Sequence, residues 1–150
     1  MPQSLAYNYS HIIFSTKHRE NFIEDTISDE LFTYLGGISK NLECFPVIVG
    51  GYRNHVHILC IISKKIALTS LIEKVKSNSS KWIKTKGKKY ENFYWQSGYG
   101  SFLVSQADVH KVEFYIRNQK NHHRKESFME EYLEFLERFN VEYDIKYLWD

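Results

Sequence analysis

Cysteine is scarce in this sequence. Cys44 and Cys60 are the only two in 150 residues, and they do not form a C-x-x-C pair. A dithiol redox motif and a zinc ribbon are therefore excluded. Cys60 ends an apolar run and reads as a small buried side chain. So few thiols make a disulfide scaffold untenable, and a reducing cytoplasm is the expected compartment. Proline is limited to Pro2 and Pro46. No repeat, low-complexity tract or Pro/Gly-rich linker divides the chain, so one domain is expected over residues 1–150. No apolar stretch approaches the roughly 20 residues that span a bilayer. The start, MPQSLAYNYSH, lacks the basic segment followed by an apolar one that marks a signal peptide. Charge of one sign is also lacking overall: 20 basic and 18 acidic residues leave a net charge of +2, which argues neither for nor against a polyanionic partner.

What is present is apolar and aromatic. Hydrophobic residues make up 43% and aromatic residues 16%, with 11 Tyr, 10 Phe and 3 Trp, which excludes a disordered chain. The balanced charge is also locally uneven. Lys64 to Lys89 holds nine lysines and one acid, a net +8, whereas Glu126 to Asp150 holds eight acids, Arg138 and Lys146, a net −6. A lysine run taken alone is read as a solvated helix face.

The hydrophobic periodicity predicts a strand over 7–15, a helix over 27–42, a short strand over 45–49 and a turn or bulge at Gly50-Gly51. A strongly apolar, central strand follows over 55–63, then a lysine-rich helix over 67–84 and a loop over 86–89. One strand, or two broken around Gly98 and Gly100, is predicted over 93–105. A helix over 107–123, capped by Ser105, precedes an acidic helix over 126–139 and a tail over 144–150. The order β-α-β-β-α-β plus C-terminal helices is that of an α+β fold: a ferredoxin-like (RRM-like) antiparallel sheet with helices packed on it.

Two groups of residues carry possible chemistry. In His55-Val56-His57 the two imidazoles project from the same side of a strand. They are either polar residues at its solvent end or two ligands for one divalent ion, and their place in so apolar a strand asks for a reason. In Tyr115-Ile116-Arg117-Asn118-Gln119 the tyrosine and glutamine lie one helical turn apart, with His122 near the same line. They form either a polar surface stripe or part of a site. Together the two groups suit phosphodiester cleavage. A tyrosine hydroxyl has a pKa near 10 and needs activation to attack at neutral pH. Two histidine nitrogens and the Gln119 side-chain oxygen would hold a divalent cation that polarises a phosphoryl oxygen. Such a mixed donor set suits Mn²⁺ at least as well as Mg²⁺.

The sequence resembles the single-tyrosine HUH transposases of the smallest bacterial and archaeal insertion sequences, the IS200-like group. The resemblance is carried by Asn54-His55-Val56-His57-Ile58-Leu59, by Trp95-Gln96-Ser97-Gly98-Tyr99-Gly100-Ser101-Phe102, by Val112-x-x-Tyr115-Ile116-x-x-Gln119-x-x-His122-His123, and by Phe128-x-x-Glu131-Tyr132-x-x-Phe135-Leu136. It implies a ferredoxin-like fold, Tyr115 as the nucleophile on single-stranded DNA, a 5′-phosphotyrosine intermediate, and a metal site of His55, His57 and Gln119. It also implies homodimers that recognise DNA hairpins, with active sites that can be shared between subunits. Replication initiators with two tyrosines on this helix are disfavoured, because Asn118 and Gln119 stand where the second would be.

On that reading Lys74, Lys76, Lys81, Lys84, Lys88 and Lys89 are candidates to track a DNA backbone. Trp82 and Tyr90 are candidate stacking surfaces, and Arg53 is a candidate phosphate contact. Trp95 is read as core. His122 is a candidate accessory group for proton transfer or phosphate binding, and a structural role stands open for His123. Two other readings compete. One is a domesticated, hairpin-specific endonuclease with the same site. The other is a non-catalytic nucleic-acid-binding module, which would carry exposed sheet aromatics in an R-G-F-x-F style motif that is absent here.

Overall fold

The structure, a computed structural model, describes residues 3–150; Met1 and Pro2, which begin the N-terminal stretch read above, lie outside the described residues. Four strands form an antiparallel sheet: β1 (Tyr9–Ser15), β2 (Pro46–Tyr52), β3 (His55–Ile61) and β4 (Gly100–Val104). Their spatial order is β2-β3-β1-β4. Helix α1 (Asp25–Asn41) joins β1 to β2, and α2 (Leu68–Lys84) lies between β3 and β4. This is the ferredoxin-like arrangement. Three further helices follow: α3 (Val109–Arg117), α4 (Gln119–His122) and α5 (Phe128–Arg138). No helix among the described residues is long and apolar enough to cross a membrane.

Strand alternation divides the interior into two layers. From the central strands, Ile12, Phe14, Val56, Ile58 and Cys60 face α1 and α2, where they pack with Leu31, Leu35, Leu71, Val75 and Ile83. On the other face, Ile13 and Phe102 meet Phe128, Tyr132, Phe135 and Leu136 of α5. Leu59 and Val104 meet Val109 and Ile116 of α3. His11, His55 and His57 share that second face, and all three are buried. Both central strands are covered on both sides, which is why their sequences read as nearly continuous apolar runs.

Several boundaries differ from the sequence reading, each for a local reason. Gly50 and Gly51 lie within β2, and the register shift falls between Pro46 and Ile48 instead. The strand predicted over 93–105 is regular only over Gly100–Val104, and Trp95 makes a single bridge to Thr16. Between them the chain bends so that the carbonyls of Gln96, Ser97 and Gly98 converge on Lys76 Nζ at 2.8, 3.2 and 2.8 Å. The helix predicted over 107–123 opens with a 3₁₀ turn at Gln106–Asp108 and breaks at Asn118 (φ −98°, ψ 20°). The Asn118 side chain there donates to the Phe114 carbonyl at 3.1 Å, a local bond that competes with regular helix. Ser105 makes no side-chain bond to a helix N–H; its hydroxyl meets Asp108 Oδ2. By contrast, Ser127 and Glu130 form a reciprocal capping box that starts α5 sharply. The 144–150 tail is docked: the Asp150 carbonyl accepts from the Ser97 and Gly98 amides, and Trp149 packs on Phe128 and Tyr132.

One glycine sets the approach of the α3 helix. Gly50 pairs with His57 across β2–β3. A Cβ at Gly50 would lie 2.8 Å from Ile116 Cγ2 and 3.0 Å from the Ile116 carbonyl oxygen. The helix thus rests directly on strand backbone, next to His57, and Tyr115 is the residue before the contact. Gly50→Ala is expected to destabilise the protein by about 1–3 kcal/mol through overpacking. Gly37→Ala, in α1 with nothing within 4 Å of the added carbon, is expected to stabilise it by roughly 0.5–1 kcal/mol by relieving the helical glycine penalty. Urea denaturation of the two variants checks both signs, and a neutral Gly50→Ala would contradict the close approach.

Candidate active site

The His pair begins β3 and is covered by the later helices. His55 Nδ1 lies 2.9 Å from Asn54 Oδ1. The Asn54 amide is oriented by its own Nδ2, which donates to the Arg19 carbonyl at 3.3 Å. Burial, reinforced by His57, lowers the His55 pKa to about 3, so the ring is neutral. The other ring nitrogen, His55 Nε2, lies 2.8 Å from Gln119 Oε1. The Gln119 amide is oriented as well: its Nε2 donates to Glu131 Oε2 at 3.0 Å, and its Oε1 accepts from His123 Nε2 at 2.9 Å.

Glu131 of α5 lies at the centre of this network. It is 1% exposed. His57 Nε2 is 3.1 Å from its Oε1, and the Tyr115 hydroxyl donates to its Oε2. Burial works against its charge, but attraction to His57 and hydrogen bonds from His123 and His57 prevail and hold the carboxyl well below the usual range. Tyr115 is shifted the other way. Burial, then the charge of Glu131 and the hydrogen bond to it, raise the phenol above its ordinary value, so Tyr115 is protonated in this arrangement. His122 Nε2 lies 3.3 Å from the Tyr115 hydroxyl and 2.6 Å from Glu126 Oε2. Burial disfavours charge on His123, but bonds to Glu131 and the Glu126 carbonyl raise its pKa overall. Its Nδ1 lies 2.7 Å from the Glu126 carbonyl and its Nε2 2.9 Å from Gln119 Oε1.

The donor set fits a divalent cation. Ligand atoms of His55, His57, His123 and Glu131 all lie within 4.8 Å of one another. His55 Nε2 and His57 Nε2 both face Glu131 Oε1, at 3.5 and 3.1 Å. A carboxylate beside them supplies the hard, charged ligand that Mg²⁺ and Mn²⁺ favour. His123 Nε2, 3.3 Å from Glu131 Oε1, is the fourth donor of this cluster.

Tyr115, His55, His57, Gln119 and His122 are thus brought together as the sequence analysis expected. Arg53 lies exposed at the turn before the pair, with its guanidinium 5.1 Å above the Tyr52 ring, and that ring stacks on His123. The lysine-rich helix is not part of the site. Its apolar side packs on the Val56/Ile58 face of the sheet, so Lys74, Lys81 and Lys84, together with Lys88 and Lys89 just beyond it, belong to the opposite layer. Two assignments are corrected. Lys76 is held by three carbonyls and is no free backbone contact. Tyr90 is 2% exposed and presents no ring to a base. Trp82 is half-buried and stacks on Tyr34, with centroids 4.6 Å apart. Trp95 is core as read, and its Nε1 donates to Ser79 Oγ.

Sequence reasoning missed Glu131 and His11. The signal for Glu131 was an acid on the apolar stripe of α5, between Phe128, Tyr132 and Phe135. The signal for His11 was a histidine inside the YSHIIFS strand.

The family described as "Transposase IS200 like" matches residues 4–119. That span includes His55, His57, Tyr115 and Gln119 and ends before α5. The fold is similar to a candidate transposase from Deinococcus radiodurans, with 21% identity and a TM-score of 0.61 over 79% of this chain and 96% of that one. It is also similar to a REP-associated tyrosine transposase bound to a REP hairpin, with 11% identity and a TM-score of 0.58 over 82% of this chain and 74% of that one. No curated protein matches.

The buried, neutral histidines predict acid sensitivity. Between an unfolded value near 6.5 and a folded value of about 3, His55 takes up a proton only in the unfolded chain. Stability therefore falls as pH drops through that window, by about 1.4 kcal/mol per unit for each such group. His11, also lowered by burial and by His57, acts with the same sign. Glu131, depressed when folded, adds to the loss below its unfolded value near ~4.3. The raised His123 contributes fully below about 6.5 and so adds no slope there. Urea midpoints of the metal-free protein should fall from pH 6.5 to 4.5. His55→Phe, which keeps the stack on Phe128 (centroids 4.6 Å), should flatten the dependence, and an unchanged slope would contradict the assignment.

Proposed function

This chain belongs to the IS200-like transposases, and we propose that it cuts and rejoins single-stranded DNA through a covalent bond between Tyr115 and a 5′ phosphate. The observation that carries this reading is the meeting of the Tyr115 hydroxyl, the Glu131 carboxylate and the His55–His57 pair at one buried point. In the proposed step, Tyr115 Oη attacks phosphorus and the bond to the 3′ oxygen breaks. The tyrosine proton leaves through His122, which touches both the hydroxyl and Glu126. The departing oxygen takes up a proton and becomes a 3′-hydroxyl. The phosphodiester energy is kept in the tyrosyl bond, so attack by another 3′-hydroxyl rejoins DNA without a nucleotide cofactor.

His55, His57 and Glu131, with the Gln119 oxygen, are the residues proposed to hold Mg²⁺ or Mn²⁺. Such an ion supplies Lewis-acid polarisation of the phosphoryl oxygen. Glu131 has two opposed effects in this account. Its charge keeps Tyr115 protonated, and engaging that charge elsewhere releases the phenol for attack. The strand is proposed to reach Tyr115 through a cleft of about 370 Å³ lined by His11, Phe102, Phe135, Lys111 and Arg138. Its aromatic walls suit bases and its two cations suit phosphates.

The partner extends the proposal. Hairpin DNA is the proposed recognition element, supported by the REP hairpin held by the REP-associated relative. The lysines of the opposite layer are available to a duplex stem while the single strand enters at Tyr115. A homodimer is proposed as well. Tyr115 stands beside His57 of its own chain, which supports assembly of the chemistry in cis; an exchange of tyrosine helices between subunits would require α3 to leave Gly50.

Labelled single-stranded DNA carrying a hairpin and a flanking cleavage site, incubated with Mg²⁺ or Mn²⁺, should yield an adduct that survives denaturation. Tyr115→Phe should reduce it to background while leaving DNA binding intact, and His57→Ala should abolish metal dependence. An adduct formed at full strength by Tyr115→Phe would show that another residue is the nucleophile.

A further inference from the structure

His11 has no part in the chemistry above, yet it is 1% exposed on the floor of the site. The β1–β3 register sets it opposite Leu59 and diagonal to His57 on the same face. Its Nε2 lies 2.7 Å from His57 Nδ1. The two rings are 5.0 Å apart, and His11 is held edge-on against Phe135 at 5.1 Å. Among the described residues, no other hydrogen-bond partner meets His57 Nδ1. His57 Nε2 is the nitrogen that faces Glu131 and the proposed cation.

A histidine can give a lone pair to a metal only if its proton is on the other nitrogen, and that N–H needs an acceptor when buried. For His55 the acceptor is Asn54 Oδ1, from the preceding residue. For His57 the preceding residue is Val56, whose side chain points to the other face, so an acceptor must come from across the sheet. We propose that His11 is a positioning residue for the metal ligand His57: its Nε2 accepts the His57 Nδ1–H, which fixes the ring and leaves Nε2 free for the cation. The inference rests on the metal-dependent reading of the site. It names a role for β1, a strand the family resemblance left without a site residue.

The test is Mn²⁺ binding by the full chain, followed through the resonance of free Mn²⁺, with thermal melting of the metal-free proteins as a control. His11→Phe keeps the ring and removes the acceptor, and it should weaken Mn²⁺ binding roughly 10–100-fold. His11→Gln, whose side-chain oxygen can stand where Nε2 stands, should recover most of the affinity. A packing role predicts the reverse order, so wild-type affinity in His11→Phe, or equal loss in both variants, overturns the proposal. Independently of either variant's folding, a long-range ¹H–¹⁵N spectrum of the Mg²⁺-loaded wild type should show the His57 proton on Nδ1, and a proton on Nε2 overturns it. A wild type that forms the Tyr115 adduct but binds no Mn²⁺ overturns the metal reading, and the role of His11 with it.

Discussion

A carboxylate taken out of water must have its hydration replaced by protein donors, and Glu131 is almost wholly buried. Three of its partners come from three different elements: His57 from β3, Tyr115 from α3 and Gln119 from α4. Glu131 itself comes from α5. One charge therefore joins the sheet to every helix on that face. Truncating one side of such a buried ionic contact typically costs about 3–5 kcal/mol, so the same group that shapes the site also secures the C-terminal helix over it.

That arrangement keeps Tyr115, the proposed nucleophile, protonated. Burial and the neighbouring carboxylate both favour the neutral phenol. The carboxylate nevertheless stands between the His pair and the tyrosine, in reach of both. On the proposed reading, cation binding and release of Tyr115 are opposite sides of one equilibrium centred on Glu131. The rigid parts are set by backbone contacts that side-chain chemistry does not adjust, above all Ile116 resting on Gly50 beside His57.

Much of this was legible in the sequence. The order of elements follows from periodicity, and the strand order β2-β3-β1-β4 is the ferredoxin-like one it implies. Period-two spacing put His55 and His57 on one face, and one helical turn related Tyr115 to Gln119. What was not legible depends on tertiary contact. Lys76 sits in a helix of solvent-facing lysines, and only the bend at Gln96–Gly98 gives its ammonium three carbonyls to satisfy. Tyr90 follows a charged loop and is buried because a 3₁₀ turn folds it inward. Glu131 is one acid among many in an acidic helix; its position on the apolar stripe was visible, but its partners lie on elements far away in sequence. His11 is hidden in a strand whose apolar neighbours made it look like core.

On the proposed reading, Glu131 joins His55 and His57 in holding the cation that frees Tyr115. An anomalous difference map from crystals of the wild-type protein grown with Mn²⁺ is the decisive test. One peak is expected within bonding distance of His55 Nε2, His57 Nε2 and a Glu131 oxygen, with the Tyr115 hydroxyl no longer donating to that carboxylate. A peak bound without Glu131, with the Tyr115–Glu131 hydrogen bond intact, would contradict it.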